Sequence, residues 1–71
     1  MPTLNYPVTQ PRRTAVGLGN LFYYAYAVKH KQSGCIKYIT SRRLAWYFYR
    51  LCADMESEQE FINLYKATVN Q

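Results

Sequence analysis

The sequence predicts a small α+β domain in which a β-hairpin packs on two α-helices behind an irregular N-terminal arm. Three observations predict it. Cys35-Ile36-Lys37-Tyr38-Ile39-Thr40 has strand composition, and a strand needs a partner because its backbone groups must be paired. Residues 42–54 repeat apolar side chains at helical spacing. Ser57-Glu58-Gln59-Glu60 has the form of a capping box, which opens a second helix.

Residues 1–20 read as an irregular basic arm, followed by a single small domain over residues 21–71. Pro2, Pro7 and Pro11 lack backbone donors and fix φ, which opposes regular structure. Gly17-Leu18-Gly19-Asn20 is a loop signal. Arg12 and Arg13 sit on this arm.

The segment Leu21–Lys31 supports two readings. Asn20 as N-cap, a basic last turn (Lys29, His30, Lys31) and Gly34 beyond it suit a helix. Phe22, Tyr23, Tyr24, Tyr26 and Val28 suit a strand. The strand at 35–40 decides for a hairpin, closed through Gln32-Ser33-Gly34. The alternative fold is an all-α three-helix bundle. In the hairpin, Phe22, Tyr24, Tyr26 and Val28 share one face with Cys35, Lys37 and Ile39, and that bulky face is expected in the core. Tyr23, Ala25, Ala27, Lys29 and Lys31 share the other with Ile36 and Tyr38.

The first helix is capped by Ser41 or Thr40. Its expected core stripe is Leu44, Phe48, Leu51, Cys52 and Met55. Arg43, Tyr47 and Arg50 line another face, with Arg42, Trp46 and Tyr49 flanking it. Arginines in a first turn oppose the helix dipole, which raises the question of what they contact. The second helix runs from the Ser57 cap to about Val69, with Phe61, Leu64, Tyr65 and Thr68 inward.

Charge is segregated along the chain. All four acidic residues (Asp54, Glu56, Glu58, Glu60) fall within seven positions, while eight of the nine Lys and Arg precede them. Placement at the capped helix start accounts for most of the acids. The remaining body is basic and aromatic, with a net charge of +5 for the whole chain. Such a body attracts polyanions, and its rings can stack on bases or fill protein pockets. At 71 residues the core is small, and a second copy or a larger partner would add stability.

Catalysis is not expected. The one His and two Cys stand apart from the acids, and a His30–Cys35 pair across the hairpin end lacks an orienting group and an oxyanion site. His30, Cys35 and Cys52 fall short of a zinc set in number and spacing, so neither metal nor cofactor is expected. Two thiols without a larger disulfide framework suit a reducing compartment. The N-terminus lacks the pattern of a signal peptide, and the longest apolar run, Leu21–Val28, is far below the roughly 20 residues of a membrane helix. A cytoplasmic protein without a membrane partner is expected.

The function these features favour is non-catalytic nucleic-acid binding. Arg12, Arg13, Lys29, Lys31, Arg42, Arg43 and Arg50 are the expected phosphate contacts, and Tyr23 and Tyr47 the stacking groups. The alternative is a small interaction protein of the kind phages and mobile elements direct at a host factor, as anti-CRISPR inhibitors do. It would dock a Trp46/Tyr47/Tyr49/Arg50 face on a larger host complex, since Trp, Tyr and Arg dominate interface hot spots. A homodimer is a further candidate partner.

Overall fold

The computed structural model describes residues 6–55 and 57–70, the side chain of Leu18 excepted. The first five residues of the expected arm, and Glu56 of the acidic cluster, lie outside them. The element order is β1 (Arg12–Leu18), β2 (Leu21–Lys29), β3 (Ile36–Ile39), α1 (Arg42–Leu51), a 3₁₀ turn (Cys52–Asp54) and α2 (Glu58–Val69). The fold is the α+β class expected, with three antiparallel strands in the order β1-β2-β3. Residues 21–29 are a strand, which removes the three-helix alternative.

The irregular arm is corrected over much of its length. Arg12–Leu18 pairs with β2 from Arg12↔Ala27 to Leu18↔Leu21. Gly19-Asn20 is therefore the two-residue turn of a hairpin. Gly19 takes φ 63°, the conformation that such turns require at their first central position and that glycine adopts without a Cβ penalty. The prolines act locally instead. Pairing resumes at Val8↔His30, so the five residues from Val8 to Arg12 face the four from Ala27 to His30. This is a β-bulge, a site where the missing N–H of Pro11 is tolerated. The bulge turns Val8 into the core, where it is fully buried.

β2 and β3 pair from Tyr26↔Ile39 to Lys29↔Ile36. This register yields the two faces expected from the alternation. The helices pack on the face of Tyr26, Val28 and Ile39, which join Phe48, Cys52 and Phe61 in the core. Phe22 and Tyr24, on the same face, were expected there too. They are 67% and 53% exposed, because β3 has only four residues and the helix layer rests on the far half of β2.

His30 closes the core at the β2–β3 turn. It is 3% exposed, and its ring lies 5.6 Å from that of Phe61. The Ser33 N–H donates to its Nδ1 at 3.1 Å, and the Ser33 hydroxyl lies 2.9 Å from the same atom. Gly34, at φ 81°, lets the chain turn back, and the His30 N–H donates to the Cys35 carbonyl at 2.7 Å.

Ser41 caps α1, its hydroxyl accepting the Leu44 N–H at 3.3 Å. The buried stripe of α1 is rotated from the one expected. Ala45, Phe48 and Tyr49 point inward, while Leu44 is half-buried and Leu51 exposed. Ala45 has no bulk to hold the helix off the sheet. Tyr49 gains a partner far away in sequence, stacking on Tyr6 at 4.4 Å and 18° between planes. The Ser57 cap forms as expected, accepting the Glu60 N–H at 3.3 Å. α2 then places Phe61 against Phe48 at 5.3 Å.

Phe61 touches both His30 and Phe48, so Phe61→Ala should destabilise the fold by about 3–5 kcal/mol, read as a fall in the urea midpoint. Gly19→Ala should cost about 1–2 kcal/mol through its left-handed backbone. An unchanged midpoint for Gly19→Ala would contradict the turn assigned here.

Candidate nucleic-acid interface

The basic residues expected at phosphates fall on several surfaces. Arg43, Tyr47 and Arg50 emerge together on the outward side of α1, opposite Ala45 and Phe48, and all three are exposed. Arg42 is exposed at the start of the same helix, whose first turn holds no acidic residue. Arg12 and Lys29 emerge elsewhere, on the face of the sheet turned away from the helices. These two groups therefore lie on opposite surfaces of a two-layer fold.

Strand register composes that open face. Arg12, Ala27 and Tyr38 form one row across the three strands, and Lys29 pairs with Ile36 in the next. Thr14↔Ala25 and Val16↔Tyr23 continue it toward the hairpin end. Every strand residue of the main core cluster belongs to the other face. Ala25 is the exception to exposure here, being fully buried outside that cluster. A concavity of about 390 Å³ lies on this face, floored by Ala27 and Ile36 and rimmed by Thr9, Gln10, Arg12 and Lys29. Lys29 is held in place through its backbone, whose N–H donates to the Thr9 hydroxyl at 3.1 Å. Tyr38 is exposed beside this concavity. Its carbonyl accepts the Tyr65 hydroxyl at 3.1 Å, which ties β3 to α2.

Two basic residues stand apart from both groups. Arg13 lies on the helix-side face of β1, its guanidinium 4.3 Å from the Tyr24 ring centroid. Such stacking leaves the charge available while fixing the ring. Lys31 is exposed in the β2–β3 turn, with its N–H donating to the Pro7 carbonyl at 3.0 Å. Tyr23 belongs to the open face, four residues along β2 from Ala27.

The docking face suggested for a protein partner does not assemble. Tyr49 is buried against Tyr6, and Trp46 is half-buried with its ring 5.6 Å from that of Tyr49. Only Tyr47 and Arg50 of that set are exposed. Helical periodicity alone left Tyr49 on the flank because its partner, Tyr6, comes from a segment read as irregular.

Tyr38 stands with Lys29 and Tyr23 on the hairpin face expected to carry stacking and charge, whereas the β1–β2 hairpin was not expected. The signal for the hairpin was present. Gly19-Asn20 stands between two runs of strand-forming residues, a recognised turn pattern.

The described acidic residues, Asp54, Glu58 and Glu60, belong to the 3₁₀ turn and α2, away from the open face. Asp54 and Glu60 border a groove of about 340 Å³ between the 3₁₀ turn and α2, with Leu51, Met55 and Leu64. Among the described residues no group of three or more His, Cys, Asp or Glu is placed to hold a metal. Nor is any helix among them long and apolar enough to cross a membrane. Burial pushes the Cys52 thiol up to about 12, because its thiolate would have to form without water.

No family model, no characterised protein and no solved structure matches this chain.

A thiol reagent near neutral pH should label Cys35 in the native protein and spare Cys52 until the chain is unfolded. Mass spectrometry after brief labelling checks this. Linkage has a definite sign for Cys52. Its folded value lies above the 9.0 of a free thiol, so its contribution to stability is full below pH 9 and is lost as pH rises toward 12.

Proposed function

We propose that this protein binds single-stranded nucleic acid on the open face of its sheet. The observation that carries the reading is the shared row of Arg12, Ala27 and Tyr38, beside the Lys29–Ile36 pair. Cations and an exposed ring alternate there around a floor of small and apolar side chains. Flat antiparallel sheets with exposed aromatics suit unstacked bases, and flanking cations suit the phosphates between them. No acidic residue occurs anywhere in residues 1–53, so nothing on the three strands repels a polyanion.

Arg12 and Lys29 hold phosphates in this reading, Tyr38 stacks a base over the Ala27 floor, and Tyr23 offers a second ring further along the strand. The outward face of α1 gives a second reading. Arg43, Tyr47 and Arg50 share one exposed helical face, which suits a duplex backbone more than a single strand. The two surfaces face opposite ways, so substitutions separate them.

Fluorescence anisotropy with labelled single strands and duplex, across a range of salt, tests the assignment. Tyr38→Ala should weaken single-strand binding by about 1–3 kcal/mol. Arg12→Ala with Lys29→Ala should shallow the salt dependence by about 1.4 units of log K per log salt. Arg43→Ala with Arg50→Ala should leave single-strand binding unchanged. If the α1 pair abolishes binding and duplex is preferred, the helix face is the site and the sheet reading is wrong.

A further inference from the structure

We propose that two copies of this chain pair edge to edge through β1, antiparallel and two-fold about Ala15, to make one six-stranded sheet. The sheet has two edges, and they differ. The β3 edge is short and dressed. The Tyr65 hydroxyl donates to the Tyr38 carbonyl, and Lys37 lies over the Tyr65 ring at 5.2 Å. The β1 edge runs for seven residues, and α1 packs on β2 and β3 instead of over it. Among the described residues no strand pairs with its outer side, and long open edges are templates for another strand.

A two-fold at Ala15 sets Arg12 opposite Leu18 and Arg13 opposite Gly17 of the second copy. No arginine then faces an arginine. Residues opposite one another in an antiparallel pair share a face, so both helix layers lie on one side and both open faces on the other.

Two features of the β1–β2 hairpin, whose projecting end forms an arm beyond the helices, gain a physical reason. The first is its exposed apolar surface. Leu21 is 79% exposed, and Phe22, Tyr23 and Tyr24 are each about half exposed or more. Among the described residues they stand outside the main core cluster, and Phe22 and Tyr24 meet edge to face at 6.2 Å. Pairing brings the arm of each copy alongside the base of the other. The two β1 edges supply main-chain hydrogen bonds, and the exposed parts of Phe22 and Tyr24 gain cover from the side chains of the other copy's strand.

The second feature is Gly17. Its φ is not positive, and a Cβ there would meet only the Leu21 carbonyl oxygen, at an ordinary 3.9 Å. The hairpin itself does not require glycine at this position. In the paired sheet Gly17 stands between Phe22 of its own copy and Arg13 of the other. An absent side chain lets that guanidinium and ring meet. Ala15, likewise small, separates the Tyr24 rings of the two copies.

The inference is independent of nucleic-acid binding and is tested without it. Sedimentation equilibrium of the full chain should return twice 8.4 kDa. In a Cys35→Ser background, Ala15→Cys should form an intermolecular disulfide under mild oxidation. Facing residues in an antiparallel pair have Cα atoms about 4.5–5.5 Å apart, within the disulfide range. Gly17→Cys should not cross-link to itself, because it faces Arg13. Gly17→Val should shift the equilibrium toward monomer with an unchanged circular dichroism spectrum. A chain that stays monomeric at its highest soluble concentration overturns the proposal. So does a dimer in which Ala15→Cys fails to cross-link, or in which Gly17→Cys cross-links as readily.

Discussion

The central strand β2 is hydrogen-bonded on both sides, yet helices cover only its C-terminal half. From that one constraint most of the molecule follows. The covered half places Val28 and Tyr26 over Phe48 and Phe61, and His30 finishes the core at the turn. The uncovered half pairs with β1 alone and carries its aromatic residues into solvent. A chain of this size cannot cover a nine-residue strand with two short helices, so it has a compact body and an arm.

Local capping and long-range packing divide the work of holding the body. Ser41 and Ser57 each satisfy a backbone donor at a helix start, where four donors otherwise lack partners. Neither cap chooses which side of its helix faces the sheet. For α1 that choice comes from Ala45, which permits close approach, and from Tyr49, which finds Tyr6. Among the described residues no buried side-chain polar atom lacks a hydrogen-bond partner. The His30–Ser33 contacts and the bond from Thr68 to the Leu64 carbonyl account for the two buried polar side chains.

Charge and architecture are coupled in a simple way. Among the described residues Glu58 and Glu60 lie in the first turn of α2, where the positive end of a helix favours them, and Asp54 ends the 3₁₀ turn before it. All three strands come from the acid-free part of the chain. The sheet therefore presents cations without opposing carboxylates on both of its faces, and only one face is roofed by helices.

The sequence by itself determined the class of the fold, the β2–β3 pairing, both helices with their caps, and the exposed Arg43/Tyr47/Arg50 face. These depend on periodicity, composition and neighbouring residues, which are local in the chain. It misjudged β1, because three prolines outweighed a two-residue glycine turn, and the bulge that accommodates Pro11 arises only against β2. It misjudged Phe22, Tyr24, Leu51 and Tyr49 as well. Alternation tells which face a side chain is on, while burial depends on what lies across that face. Only the tertiary structure decided that, and it also brought Arg12 onto the face that Lys29 and Tyr38 share in the β2–β3 hairpin, since the β1 register joins residues no local pattern relates.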